Sequence, residues 1–212
     1  EELSKDVSGL IFHPDLIFGT SLAEKMSKYT FFSYAQSEAL HMSDKEQNIL
    51  VDLLHRIQEE MEYPIDLHSR DLLCAYIELF LDYCLRFYDR QFLTRSKVNS
   101  DILQRFEYLL HDYFESGKAI RLGLPSVAYF ADQVCLSANY FGDLIKKETG
   151  KTAQEYIQLI LVDEAKKQLL GSTLGINQIA ERLGYQDTQH FIRMFKKRVG
   201  RTPLKFRVEN KS

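Results

Sequence analysis

A chain of 212 residues holds one large or two small domains, and its 45% apolar content is enough for packed cores, which excludes a disordered chain. Cys74, Cys84 and Cys135 lie in apolar patterns without metal-ligand or redox spacing, so they read as buried thiols in a reducing cytosol rather than as a disulfide framework. The formal charge of -3 hides an asymmetry: residues 125–207 carry 13 Lys/Arg against 8 Asp/Glu, while the remainder carries 14 against 22.

Residues 7–18 predict an extended segment ending near Pro14, with a short apolar turn after it; a lone strand leaves its backbone groups unpaired, so its partners are expected upstream. Residues 22–29 predict a short helix, followed by an aromatic connection through Phe31, Phe32 and Tyr34. Ser43 and Glu46 form a capping-box pattern that opens a firmer helix. Its apolar positions Ile49, Leu50, Leu53, Leu54, Ile57 and Met61 fall on one stripe, and Pro64 stops it.

The next helix, capped by Asp66 or a neighbour, covers roughly residues 67–92. Its apolar residues occupy more than one face and need partners all round. Two arrangements satisfy this: the helix is the centre of a monomeric bundle, or the region self-associates as a homodimer. Asn99 or Ser100 starts a further helix through Phe106 and Phe114, and residues 117–125, with Gly117, Gly123 and Pro125, break the periodicity as a linker between domains.

Beyond that break one phrase occurs twice, at residues 139–152 and again at 189–202. The upstream halves correspond with a shift of one residue: Val127, Phe130, Ala131 and Val134 against Ile176, Ile179, Ala180 and Leu183. Each copy predicts a short apolar-faced helix, a turn and a longer basic helix, which is the size of a helix-turn-helix and implies two nucleic-acid-reading units.

In the first copy Ser126 caps the short helix and Ser137 the long one. Phe141, Leu144 and Ile145 face the core, which leaves Asn139, Tyr140, Asp143 and Lys146 as candidates for base contact. Thr152 and Glu155 then form a capping box opening a helix through Ile157 and Leu161 to Gly171, long enough at 1.5 Å per residue to span roughly 27 Å. In the second copy Asp187 caps a helix with Phe191, Met194 and Phe195 inside and Gln189, His190, Arg193 and Lys197 outside. Arg193 matches the two-pronged clamp on a guanine edge and Gln189 the equivalent pairing with adenine. Lys147, Lys151, Lys196, Arg201 and Arg207 suit phosphates, where charge suffices and geometry is loose.

Residues 126–207 resemble the DNA-binding domain of the AraC-type bacterial transcription regulators. The resemblance rests on the ordered run from Ile179, Ala180, Glu181, Arg182, Leu183 and Gly184 through Phe191, Phe195, Lys196 and Lys197 to Gly200, Thr202, Pro203 and Arg207, with a weaker relative at residues 131–150. It implies seven helices, with residues 138–147 and 188–197 entering neighbouring major grooves of promoter DNA, and contact with RNA polymerase. Two departures are visible: Leu161 stands where relatives often carry an arginine, and Ile145 where they often carry an aromatic. The resemblance also implies that residues 1–20 are the remnant of an upstream sensor domain, through which alone a small-molecule effector would act.

The expected architecture is thus all-α: a helical connector over 21–116, a linker over 117–125, and a double helix-turn-helix over 126–208, joined internally by a long helix. No metal, cofactor, membrane span or enzyme chemistry is expected, since there is no His-Glu-x-x-His spacing and no glycine-rich phosphate loop, and charge interrupts every long apolar run. The competing expectation is a helical protein-interaction adaptor that turns its basic faces to acidic partners.

Overall fold

A computed structural model describes residues 9–210. The described residues form helices and turns, with no strand among them. The chain divides into two compact units, residues 1–94 and 95–212.

In the first unit residues 9–13, neither helix nor strand and ending on an extended His13, lead into a one-turn helix, α1 (Pro14–Ile17), whose proline sits in the first turn, where its missing N–H costs nothing. The part of the predicted extended segment before residue 9 lies outside the described residues. Helix α2 (Ser21–Lys25) gives way to 3-10 turns at Met26–Lys28, Thr30–Ser33 and Gln36–Glu38. Helix α3 (Asp44–Glu62) begins at the Ser43–Glu46 capping box, with the Ser43 hydroxyl accepting from the Glu46 N–H at 3.4 Å and the Glu46 carboxylate accepting from the Ser43 N–H at 2.8 Å. Helix α4 (Ser69–Thr94) starts where Asp66 Oδ1 accepts from the N–H groups of His68 and Ser69, and it packs along α3.

The α3 stripe buries Leu50, Leu53 and Ile57, but its last expected member, Met61, is 70% exposed. On α4, Cys74, Ile77, Leu81, Phe87, Tyr88 and Phe92 are buried, whereas Leu72, Leu79 and Leu93 are exposed. Polar ties hold α1, α2 and the turns to α4. Arg70 donates to the carbonyls of Leu16 and Phe18, Lys25 pairs with Glu78, and the Tyr29 hydroxyl donates to Asp82 at 2.8 Å.

The second unit contains α5 (Ser96–Glu115), α6 (Lys118–Leu122), α7 (Val127–Gln133), α8 (Ala138–Thr149), α9 (Ala153–Gly171), α10 (Ile176–Arg182), α11 (Thr188–Val199) and α12 (Pro203–Asn210). Six helices therefore follow Ser126, one fewer than the seven that the resemblance implies for that stretch, and α5 and α6 precede them in the same unit. Helix α5 takes part in the first reading unit. Its fully buried Phe106 is the hub of the first reading unit, with ring centroids 5.2 Å from Phe130, 5.0 Å from Phe141 and 5.7 Å from Tyr156. The edge-on contacts with Phe130 and Phe141 add attraction to a large burial of apolar area. The segment 117–125 is not an open linker, because α6 packs against α5 and α10 within this unit. A second aromatic core joins Tyr185, Phe191, Phe195 and Phe206.

Candidate nucleic-acid interface

Both reading helices are built alike. Ser137 accepts from the Tyr140 N–H at 3.2 Å to start α8, and Asp187 accepts from the Gln189 N–H at 2.8 Å to start α11. Side chains at these N-caps satisfy backbone donors that the helix itself leaves open. Both helices end on a glycine whose N–H donates 2.9 Å to the carbonyl four residues back, Gly150 to Lys146 and Gly200 to Lys196.

The inner stripes are closed to solvent. Phe141, Leu144, Ile145, Phe191 and Phe195 have no exposed surface, and Met194 is half-buried. The aliphatic Ile145 fills its place as completely as an aromatic would. On the outer side Asn139, Lys146 and Lys147 of α8 are exposed, with Asp143 half-buried, and Gln189, His190, Arg193, Lys196 and Lys197 of α11 are exposed. At 100° per residue, Asn139, Asp143 and Lys146 share one outer arc, and Gln189, Arg193 and Lys196 share the matching arc of α11, flanked by Lys197.

Tyr140 does not belong to that arc. It is only 4% exposed, because the helical register sets it about 40° from Leu144, at the margin of the apolar stripe. His190 holds the equivalent place in α11, yet its side chain is 65% exposed, with Nε2 3.6 Å from Asp187. The aromatic ring goes in and the imidazole stays out.

The phosphate candidates divide in the same way. Lys147, Lys151 and Lys196 are exposed, and Arg201 is exposed but paired with Glu209. Arg207 is half-buried, its Nε donating 2.9 Å to the carbonyl of Leu169, so this guanidinium ties α12 to the end of α9 instead of lying open for a phosphate. Arg198, which periodicity did not single out, donates to Gln158 and so links α11 to α9. Leu161 is buried in α9, where an arginine could not reach a phosphate without leaving the core.

The spacer α9 opens on the predicted capping box, with the Thr152 hydroxyl accepting from the Glu155 N–H at 3.2 Å and the Glu155 carboxylate from the Thr152 N–H at 2.9 Å. That backbone N–H, then the Thr152 hydroxyl, hold the Glu155 carboxyl below its ordinary range, with help from the charges of Arg198 and Lys151. Of the thiols, Cys74 is buried and Cys84 half-buried, but Cys135 is exposed, because it occupies the turn between α7 and α8 at a φ of +58°. Among the described residues no group of three or more His, Cys, Asp or Glu is placed to hold a metal, and no helix is long and apolar enough to cross a membrane.

Residues 130–209 match the helix-turn-helix domain family model, which covers both reading units from Phe130 onward. Over 104 residues, about half of this chain, the sequence is 35% identical to the bifunctional transcriptional activator/DNA repair enzyme AdaA of Bacillus subtilis (strain 168), covering 47% of that protein. Over 105 residues it is 33% identical to the HTH-type transcriptional regulator YtdP of the same organism, covering 13% of it. The chain thus spans half or less of the length of these relatives. The C-terminal domain of AraT, a response regulator from Geobacillus stearothermophilus, is 26% identical with a TM-score of 0.46, over 52% of this chain and 87% of that one.

The fold and the site define a DNA-binding protein of the helix-turn-helix class. Residues 130–209 carry the helix-turn-helix family match, and over about half of its length the chain is similar to transcriptional regulators, with two helix-turn-helix units in this region.

Proposed function

We propose that this chain binds promoter DNA sequence-specifically by laying α8 and α11 in successive major grooves, and so regulates transcription. The observation that carries this reading is the duplicated outer arc: two capped helices of equal length, each with a closed apolar stripe behind an exposed polar and basic edge. Nothing in a packing role requires that edge twice.

The base readers are then Asn139, Asp143 and Lys146 on α8 and Gln189, His190, Arg193 and Lys197 on α11. Arg193 has the fork for guanine, Gln189 and Asn139 the paired donor and acceptor for adenine, and Asp143 an acceptor for the cytosine amino group. Lys147, Lys151 and Lys196 supply phosphate contacts, and Arg201 does so if Glu209 releases it. The first unit serves as a connector, with self-association through the exposed Leu72, Leu79 and Leu93 of α4 bringing two reading domains to paired sites. Contact with RNA polymerase, and an effector acting through a further domain, belong to the same reading.

Titration against a selected duplex and a scrambled one at two salt concentrations tests this. A regulator keeps its preference for the selected sequence as overall affinity falls with salt. An adaptor that merely tolerates polyanions loses both equally.

A further inference from the structure

The two helix-turn-helix turns share one hydrogen-bond pattern but not one residue type. In the first, the N–H of Cys135 donates to Asp132 at 3.0 Å and that of Leu136 to Ala131 at 2.9 Å; in the second, Gly184 donates to Glu181 and Tyr185 to Ala180, both at 2.9 Å. Cys135 holds its place at a φ of +58° with its side chain exposed, so a turn of this design accepts a Cβ. At Gly184, with φ +92°, a Cβ would lie 2.5 Å from the carbonyl carbon and oxygen of Gly123 and 2.9 Å from the nitrogen of Leu124. These are backbone atoms, which cannot swing aside.

Gly123 is held as tightly from its other side. Its φ of +83° and ψ of -155° lie in a region open essentially to glycine alone. Its carbonyl accepts from the Tyr113 hydroxyl at 3.0 Å. Tyr113 is 2% exposed on α5, with its ring centroid 5.7 Å from that of Phe130 in the first reading unit. A chain of contacts therefore runs from the core of the first reading unit through Tyr113 and Gly123 to the turn that launches α11. The spacer α9 is the other connection, and two separate attachments remove the hinge that one alone would leave.

We infer that Tyr113, Gly123 and Gly184 form a clasp that fixes α11 relative to α8, which makes them positioning residues for the spacing of bases the protein accepts. This rests on the two-groove reading proposed above. None of the three needs to touch DNA.

The test uses the full chain and a duplex carrying both halves of a selected site, together with duplexes in which one half is scrambled or one base pair is inserted or removed between the halves. One base pair turns and shifts one half relative to the other, so the wild type should lose about tenfold in affinity at either altered spacing. Gly184→Ala and the gentler Tyr113→Phe should bind each single half within about twofold of wild type, yet flatten the spacing preference to about threefold or less. If Gly184→Ala fails to fold by circular dichroism, Tyr113→Phe decides alone. Variants that keep the wild-type spacing profile, or weaken every duplex by one common factor, overturn the clasp. A wild type that binds two halves no better than one instead overturns the two-groove reading.

Discussion

Arg193 and Arg207 carry the same guanidinium, and their surroundings give them opposite work. Arg193 is exposed on the outer arc of α11, so Arg193→Ala should relax the base preference at one position of the site and cost roughly 1–3 kcal/mol of discrimination. Binding titrations against single-base variants of a selected duplex measure this directly. Arg207 donates to the Leu169 carbonyl from a half-buried position. Arg207→Ala should therefore lower the unfolding free energy by about 1–3 kcal/mol in urea melts while leaving the salt dependence of DNA binding unchanged. Both are legible in sequence as basic residues of a repeated basic unit, but periodicity within one helix cannot say which cation an adjacent helix will capture. Tyr140 and Cys135 escaped for related reasons. A tyrosine at a stripe margin can lie on either side of it, and a turn cysteine looks apolar until the left-handed backbone turns it outward.

Helices were legible where local chemistry specifies them. The capping residues Ser43, Ser126, Ser137, Thr152 and Asp187 all start helices at the expected positions, because a side-chain acceptor beside open N–H groups acts over three residues. Thr152→Ala should cost the unfolding free energy about 1 kcal/mol near neutral pH. The pH dependence has a definite sign. The Glu155 carboxyl sits below its ordinary value of 4.5 in the folded chain, so its stabilisation is present above that value and is lost as pH falls through the folded value. Thermal melts should accordingly show less acid sensitivity in that window for Thr152→Ala than for wild type. Long-range features were harder to see. The helix α5 reads as part of the connector because its apolar stripe names no partner, yet Phe106 centres the first reading unit. Glycines at 117 and 123 suggest a flexible link, whereas the short α6 fills the gap between them and packs on α10.

Across the whole chain, charge is sorted by sequence region: the surplus of basic residues coincides with the reading units, and the acidic surplus lies outside them. Binding should weaken with salt, and Lys151→Ala should reduce the slope of log affinity against log salt by about one while lowering cognate and scrambled affinities by a common factor. A change in the cognate-to-scrambled ratio would instead make Lys151 a base reader. The central claim is that two similar helices, joined by a 19-residue spacer, each read bases. Selection of bound sequences from a random duplex pool, repeated with Asn139→Ala and with Arg193→Ala, tests it most directly. The expected result is a site of two blocks centred about 10 base pairs apart, with each substitution erasing preference in a different block. A single block, or two substitutions that blur the same block, would contradict it.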